Sequence, residues 1–401
     1  MDTTIGTAAD QVAVAPGQLQ RSWSEGGRRY FRYVTPEPIE NGFGIYSARY
    51  AIHETRWRDV AIRIYHHPAH AANVARIAQG VKASLERYTR TIGPYPARQL
   101  TVVEAAGYNV SARSHPTSIR MFEGYALMNP DADWRKVDFA FAVMAHEIAH
   151  QWWGNQLTPA NVAGAPFVSE SLAWYSALGV VADAKGEAHL ERFLDVMRED
   201  YLGPRARDGV PLLEASDWFT AYRLGPFSMV ALRDAIGEER VNLALRRFFA
   251  KHGHGQVPLA TSLDLYAELK AVTPAAQHEL LADLFERNTF WNLQAKEATS
   301  RKVGKAWEVT LVVGAEKVAV DRQGRVAQRP LREPVEIGVY GPGTDDAPGK
   351  LLYLARHRLK EGEQRITVSV PSEPARAGID PRNVLIDTHR ANNMKVLTAT
   401  P

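Results

Sequence analysis

The stretch Ala145-His-Glu-Ile-Ala-His-Gln-Trp-Trp-Gly154 constrains this chain most, because its two histidines are spaced by about one helical turn. Residues four apart on an α-helix project from the same face, so the imidazoles of His146 and His150 are predicted to reach one common point. Apolar residues over 139–144 precede the motif, its final glycine is placed to end the helix, and Asp133 is placed to cap its start. The segment is therefore predicted to be a buried helix that presents two imidazoles.

The composition decides which ligands a metal ion would find here. The 401 residues include no cysteine, so any metal site must use imidazoles and carboxylates. A catalytic zinc generally takes three protein ligands and leaves one position open for water. Glu147 lies beside the first histidine, where its carboxylate can accept a proton from that water. The pattern predicts one zinc ion per chain held by His146 and His150, and the alternative is a helix with two structural histidines.

Glu170 is the candidate for the third ligand. It lies in the segment Phe167-Val-Ser-Glu-Ser-Leu-Ala-Trp-Tyr175, where Ser169 is expected to cap the start of the next helix. Glu170 would then stand in the first turn, from which its carboxylate can face back across an antiparallel helix pair. The alternative is a glutamate that complements the dipole at a helix start.

These segments resemble the gluzincin metallopeptidases, specifically the membrane alanyl aminopeptidase family that includes leukotriene A4 hydrolase. The run His146-Glu-Ile-Ala-His-Gln-Trp-Trp-Gly-Asn155 is close to the family's His-Glu-Leu-Ala-His-Gln-Trp-Phe-Gly-Asn. The resemblance implies that Glu170 completes the zinc site and that Glu147 is the general base. The family places eighteen residues between its second histidine and third ligand, whereas nineteen separate His150 from Glu170. We expect a one-residue insertion in the loop 159–166 to account for this difference.

A second segment, Ala221-Tyr-Arg-Leu-Gly225, is similar to the family's Tyr-Glu-Lys-Gly, which precedes an apolar helix. The family's tyrosine hydroxyl stabilises the tetrahedral intermediate, and the resemblance implies this role for Tyr222. Arg223 and Leu224 replace the family's Glu-Lys pair, so the match is partial. The alternative is a tyrosine at the edge of the core beside a helix start.

The family's exopeptidase motif, Gly-Ala-Met-Glu-Asn, is absent from this sequence. In the family, the glutamate of that motif holds the free α-amine of the substrate. The corresponding region reads Ser118-Ile-Arg-Met-Phe-Glu-Gly-Tyr-Ala126, with Glu123 twenty-three residues before His146. The resemblance makes Glu123 the candidate substrate-binding residue, and the alternative is a surface glutamate on an edge strand. Exopeptidase and endopeptidase action therefore both stay open.

The remaining histidine clusters, around residues 66–70 and 252–254, have no paired carboxylate in a helical frame. We expect these histidines to be solvated. The neighbouring tryptophans Trp152 and Trp153 are expected to pack into the core rather than to bind a ligand.

The order of the patterns predicts an α+β chain in three parts. Residues 1–65 are expected to form an arm over residues 1–20 and then strands that are a remnant of the family's larger β-domain. The resemblance makes residues 66–292 a thermolysin-like zinc metallopeptidase catalytic domain, in which helical patterning dominates from Asp133 to about Asn288. Short alternating runs with turn residues between them predict a C-terminal β-sandwich over residues 293–401.

The net charge and the hydropathy of the chain limit the classes of partner that it is expected to bind. Lys and Arg number 48 against 45 Asp and Glu, so no large basic field indicates nucleic acid. No stretch is apolar enough to cross a bilayer, and the N-terminus lacks the features of a signal peptide. The run Gly164-Ala-Pro-Phe-Val-Ser-Glu-Ser-Leu-Ala-Trp-Tyr-Ser-Ala177 is most similar to the aminopeptidase-like portion of bacterial proteins that join an ABC-type permease to a soluble peptidase domain.

The resemblance implies zinc-dependent hydrolysis of peptide substrates, with removal of N-terminal residues. It also implies a permease or membrane partner that this chain does not contain, which would place the chain at the extracytoplasmic face of a bacterial membrane. Without such a partner we expect a cytoplasmic protein. Two alternatives remain: a catalytically silent module that binds peptides or partners in a membrane transport assembly, and a structural protein with accidental histidines.

Overall fold

The computed structural model describes residues 1–35, 39, 42–107, 111–124, 137–205, 209–344 and 349–399. The chain forms two compact units. The first comprises Met1–Met197, Ser216–Pro226 and Asn242–Leu269, and the second comprises Arg198–Ala215, Phe227–Val241 and Lys270–Pro401. The predicted division at residues 65 and 292 stays a prediction.

The N-terminal region of the first unit is built from strands. They are β1 (Asp2–Ala8), β2 (Val12–Val14), β3 (Gln18–Glu25), β4 (Arg28–Val34), β5 (Tyr46–Ala48), β6 (Ala51–Trp57) and β7 (Val60–His66). Strands β1, β4 and β3 form an antiparallel sheet in that order, and β2 pairs with β5. Ala13, Val14 and Ala15 are buried, so the predicted arm over residues 1–20 is wrong. These residues are ordered by pairing with strands farther along the chain, which their local pattern does not reveal.

A five-stranded mixed sheet lies at the centre of the first unit. Its later strands are β8 (Gln99–Ala105), β9 (Ala112–His115) and β10 (Ser118–Phe122), and the strand order is β6-β7-β8-β10-β9. The parallel strands β7 and β8 are connected through helix α1 (Val74–Thr91), whose residues Ile77, Val81 and Leu85 are buried. The apolar spacing over residues 69–88 predicts a helix and the apolar run 100–103 predicts a buried strand, and α1 and β8 confirm both. Strand β9 forms one edge of this sheet.

Helices dominate the region from residue 137 to residue 285, as predicted. They are α2 (Phe139–Ala149), α3 (Leu172–Lys185), α4 (Glu187–Arg205), α5 (Gly225–Ile236), α6 (Glu238–His252), α7 (Ser262–Val272) and α8 (His278–Phe285). Asp138 caps α2 by accepting a hydrogen bond from the backbone N–H of Phe141 at 3.2 Å, whereas Asp133 lies outside the described residues. No helix in the described ranges combines the length and apolarity that crossing a membrane requires.

The C-terminal part of the second unit consists of two sheets, which fits the predicted β-rich end of the chain. Its strands are β11 (Thr289–Val303), β12 (Ala306–Val320), β13 (Val326–Gln328), β14 (Val335–Tyr340), β15 (Leu351–His357), β16 (Gly362–Val370), β17 (Arg376–Ile379), β18 (Met394–Val396) and β19 (Thr398–Ala399). One sheet has the order β13-β12-β11-β19, with β16 also paired to β12, and the other has the order β15-β14-β17-β18. Strand β11 contacts β17 and β18 of the other sheet.

A buried ionic network stabilises this second unit. The Nζ atom of Lys317 donates to Asp283 Oδ2 at 2.6 Å and to Glu333 Oε2 at 2.8 Å, and the lysine side chain is fully buried. The second oxygen of Glu333 accepts a hydrogen bond from Trp291 Nε1 at 2.5 Å. The lysine thus compensates the charge of both carboxylates, and Asp283 has a second cation in Arg287, whose Nη1 atom lies 2.8 Å from its Oδ1 atom.

Candidate metal centre

Helix α2 and the segment before α3 bring three metal-binding side chains together. His146 and His150 project from the same face of α2, and their Nε2 atoms are 3.1 Å apart. The Oε2 atom of Glu170 lies 3.3 Å from Nε2 of His146 and 3.2 Å from Nε2 of His150. The predicted ligand atoms therefore converge on one point.

The spacing of these atoms fits zinc. Ligands at about 2.0–2.1 Å from a tetrahedral zinc stand roughly 3.3–3.4 Å from one another, and the three observed separations are 3.1–3.3 Å. The Oε2 atom of Glu170 is buried and faces Nε2 of both histidines at 3.2–3.3 Å. When the imidazoles are neutral at Nε2 this acceptor lacks a donor, and a cation at the convergence point would compensate its charge. The donor set of two imidazoles and one carboxylate is typical of catalytic zinc.

Contacts behind the histidines fix their rings. The Nδ1–H group of His150 donates to the carbonyl oxygen of Trp153 at 2.8 Å, which leaves the lone pair of Nε2 directed at the metal position. Trp153 is itself held, because its Nε1–H donates to Ser176 Oγ at 3.0 Å. The His146 ring packs against Trp174 with 4.6 Å between ring centroids. The burial of Trp152 and Trp153 confirms the predicted core role of the pair.

Glu170 lies in a π-helical turn, Phe167–Ser171, and not at the capped start of a helix. Helical conformation begins before Ser169, whose Oγ donates to the carbonyl oxygen of Ala165 at 3.4 Å, so the predicted cap at Ser169 is wrong. Ser171 Oγ donates to the carbonyl oxygen of Ala221 at 2.6 Å. This buried bond ties the turn that carries Glu170 to a second π-helical turn, Thr220–Leu224, which carries Tyr222.

Glu147 occupies α2 between the two histidines and is buried. Burial raises the pKa of its carboxyl group to about 7, although nearby positive charge at His150 opposes the rise. Its Oε2 atom is buried with no hydrogen-bond partner among the described residues. A carboxylate with a pKa near neutrality can both accept and return a proton at neutral pH.

The two imidazoles have opposite pKa shifts in the metal-free site. Burial and the neighbouring His150 lower the pKa of His146 to about 4. Burial would also lower the pKa of His150, but the attraction of Glu170 and Glu147 outweighs it and raises that pKa to about 9. Burial opposes ionisation of Glu170, yet the two histidines hold the pKa of its carboxyl group well below the ordinary value. A metal ion entering the site would displace the proton from His150.

Tyr222 stands beside the metal position. Its ring centroid lies 5.9 Å from that of His146. Burial, and then the negative charge of Glu170, raise the pKa of the tyrosine hydroxyl above its ordinary range. The hydroxyl therefore keeps its proton at physiological pH and can donate a hydrogen bond.

One cavity of about 1170 Å³ contains the site. His146, Glu147, His150, Glu170 and Tyr222 all line it, so five of the six predicted site residues are brought together. Their roles stay predictions. Among the other residues that line the cavity, sequence reasoning did not identify Arg113, Trp218 and Arg223 as candidate site residues. Arg223 was visible only as a departure from the family's motif, and the other two gave no signal.

Glu123 is the predicted site residue that the structure places elsewhere. It is not among the described residues lining the cavity, although Gly124 is. Its Oε1 atom accepts a hydrogen bond from the backbone N–H of Gly107 at 3.1 Å, and its carboxylate lies near His70 and Glu104. The role of Glu123 in substrate binding therefore stays a prediction.

The histidines around residue 66 are not simply solvated, so that expectation is wrong. His66 is buried, and His70 Nδ1 lies 2.5 Å from Glu104 Oε1. The second oxygen of Glu104 accepts the backbone N–H of His67 at 2.7 Å. Strand β8 supplies this carboxylate from more than thirty residues away, and a search for local spacing cannot find it.

Comparison with known proteins identifies the family to which the chain is similar. A family model described as "Peptidase family M1 domain" matches residues 78–286, which include both histidines, Glu170 and Tyr222. Aminopeptidase N of Lactobacillus delbrueckii subsp. lactis is 24% identical over 248 residues. That similarity covers 54% of this chain and 29% of the relative, so the chain spans less than a third of the protein it matches.

Proposed function

Since this chain belongs to peptidase family M1, we propose that it hydrolyses peptides with a zinc ion held by His146, His150 and Glu170. The convergence of their three ligand atoms at 3.1–3.3 Å, beside the buried carboxylate of Glu147, is the observation that carries the proposal. The relative's name, aminopeptidase N, supports removal of N-terminal residues as the form of hydrolysis. A thermolysin-like arrangement of the catalytic part belongs to the same proposal.

The chemistry divides between the ion and the side chains around it. Zinc, when bound, would polarise the scissile carbonyl and acidify a water molecule. Glu147 takes the proton of the attacking water and returns it to the departing amine. Its burial suits both steps, because burial raises the pKa of the carboxyl group and so makes it a better proton acceptor than an exposed glutamate.

Tyr222 acts on the charge that develops during attack. When water adds to the carbonyl carbon, the carbonyl oxygen gains negative charge, and the tyrosine hydroxyl donates a hydrogen bond to it. The raised pKa of the hydroxyl keeps the donor protonated throughout. The stack of Tyr222 on Trp218, with 5.8 Å between ring centroids, holds the ring in place before substrate arrives.

Glu147→Gln tests the function directly, because the amide keeps the size of the side chain but cannot accept the proton. We expect one zinc per chain in both proteins by elemental analysis, and a loss of about 10²–10⁴-fold in hydrolysis of aminoacyl fluorogenic substrates. Glu187→Gln, at an exposed position on α4, is the matched control and should retain the parent's activity. A zinc-loaded parent that hydrolyses no peptide would contradict the proposal and favour a silent binding module of a membrane transport assembly. A parent that binds no zinc would contradict it as well.

The removal of N-terminal residues needs its own comparison. We expect the parent to cleave an aminoacyl amide faster than its N-acetyl form, because acetylation removes the cationic amine that a carboxylate can hold. Glu123→Ala should reduce that difference if Glu123 is the anchor. Equal cleavage of the free and acetylated substrates by the parent would leave an endopeptidase.

A further inference from the structure

The cavity that contains the site is lined by charged side chains of both signs. Four of the ionisable side chains that line it belong to the proposed zinc site: the three proposed ligands His146, His150 and Glu170, and the proposed base Glu147. The other charged side chains among the described lining residues are two arginines, Arg113 and Arg223. No further carboxylate lines the cavity within the described ranges.

Arg223 is held beside the predicted oxyanion donor. Its Nη1 donates to the carbonyl oxygen of Tyr222 at 3.2 Å, and its guanidinium lies 4.1 Å from the ring centroid of Trp218. Trp218 is 45% exposed and stacks on Tyr222, so the indole contacts both the phenol and the guanidinium. This stack limits the rotation of the arginine and keeps its charge at the cavity wall.

Arg113 reaches the cavity from another wall, on the edge strand β9. Hydrogen bonds hold this strand against the segment that follows helix α2. Gln151 Nε2 donates to Ser114 Oγ at 2.7 Å and to the His115 carbonyl oxygen at 2.8 Å. Asn155 Nδ2 also donates to Ser114 Oγ, at 3.3 Å. The Arg113 side chain is exposed and makes no salt bridge with any residue that the structure describes. Within the described ranges, no carboxylate competes with a ligand in the cavity for this guanidinium.

We propose that the cavity selects peptides that carry a carboxylate, which Arg113 and Arg223 bind. The inference rests on the proposed peptidase function and names its substrate class. A guanidinium binds a carboxylate through paired, charge-assisted hydrogen bonds, and a cavity partly closed to water strengthens them. The carboxylate has two possible sources, an acidic side chain or the free C-terminus of a short peptide. Both present the same group to the arginines.

Two matched pairs of tripeptides separate these sources. The first pair is Ala-Ala-Ala and its C-terminal amide, and the second is Ala-Glu-Ala-amide and Ala-Gln-Ala-amide. Affinity is measured by calorimetry on zinc-loaded Glu147→Gln, which binds peptide without turnover, and kcat/KM is measured on the parent. We expect the carboxylate-bearing member of at least one pair to bind about 10- to 100-fold more tightly. The pair that shows the difference identifies the source.

Substitution of the arginines assigns the effect. Arg113→Gln and Arg223→Gln, each combined with Glu147→Gln, should reduce the affinity ratio within that pair to near one, whereas Arg223→Lys should retain part of it. Arg98→Gln, which removes an exposed charge outside the cavity lining, is the control and should leave the ratio unchanged. Added salt should weaken the preference in the parent.

Equal affinity for both members of both pairs would overturn the inference and leave the peptidase proposal untouched. A ratio that survives both arginine-to-glutamine substitutions would overturn it too. An inactive parent would contradict the proposed function, yet the binding comparison would still decide whether the cavity prefers a carboxylate.

Discussion

Replacing Tyr222 with phenylalanine isolates one hydroxyl at the centre of the proposed mechanism. The substitution keeps the aromatic ring, and with it the stack on Trp218 and the packing beside His146 at 5.8 and 5.9 Å between ring centroids. No zinc ligand is altered. The phenol oxygen is the single atom that the variant loses, so a change in rate reports the hydrogen bond that this oxygen donates.

The expected magnitude follows from the location of the hydroxyl. Removing one donor from an oxyanion site costs about 2.7–4 kcal/mol of transition-state stabilisation. At about 1.36 kcal/mol for each tenfold change, this corresponds to a decrease of about 10²–10³ in kcat. The bond forms as charge develops on the carbonyl oxygen, so KM should change little.

The assay measures kcat, KM and zinc content on the parent and the variant. Tyr30→Phe is the matched control, because Tyr30 also stacks on a tryptophan, Trp23, with 5.2 Å between ring centroids, but lies in the N-terminal strands. We expect the control to retain the parent's kcat. A Tyr222→Phe variant that keeps its zinc and turns over within threefold of the parent would refute the assignment of the donor. A large rise in KM with unchanged kcat would refute it as well.

Two further predictions concern the metal and the second unit. Glu170→Gln should reduce bound zinc well below one per chain, because a neutral amide is a poor replacement for the carboxylate ligand; unchanged zinc by elemental analysis would place the third ligand elsewhere. Lys317→Met should destabilise the second unit by about 3–5 kcal/mol, measured by urea unfolding, since it leaves Glu333 buried with no cation beside it among the described residues, while Asp283 keeps Arg287. The exposed Lys302→Met is its control, expected within about 0.5 kcal/mol of the parent, and equal midpoints for the two variants would contradict the ionic argument.

Local geometry explains what the sequence could reveal about the site. The four-residue spacing of His146 and His150 determines a shared helical face, so the pair follows from the sequence alone. Glu170 meets them only through tertiary packing, and its assignment came from resemblance to a family. The pairing of His70 with Glu104 depends on strand β8 lying beside the end of β7, a relation that no local pattern encodes.

The errors have the same origin. Residues 1–20 are polar and aperiodic in sequence, yet they become ordered because β1 pairs along its length with β4. Ser169 has the residue type of a helix cap, but the helix has already begun before it, and the π-helical turn there leaves no periodic signature. Non-local pairing and irregular helical turns are therefore what the sequence reading missed.

The two π-helical turns have a consequence for how this site tolerates changes in chain length. A helix can accommodate one added residue as a π-helical turn and then continue, so an insertion need not be taken up by a loop. The turn Phe167–Ser171 begins inside the interval 151–169, which is one residue longer here than in the resembled family, and it carries Glu170 itself. It can therefore absorb the extra residue as well as the loop 159–166 can. A local π-helical turn can thus keep Glu170 beside the histidines when the interval changes by one residue, and a search that demands a fixed interval would pass over chains of this kind.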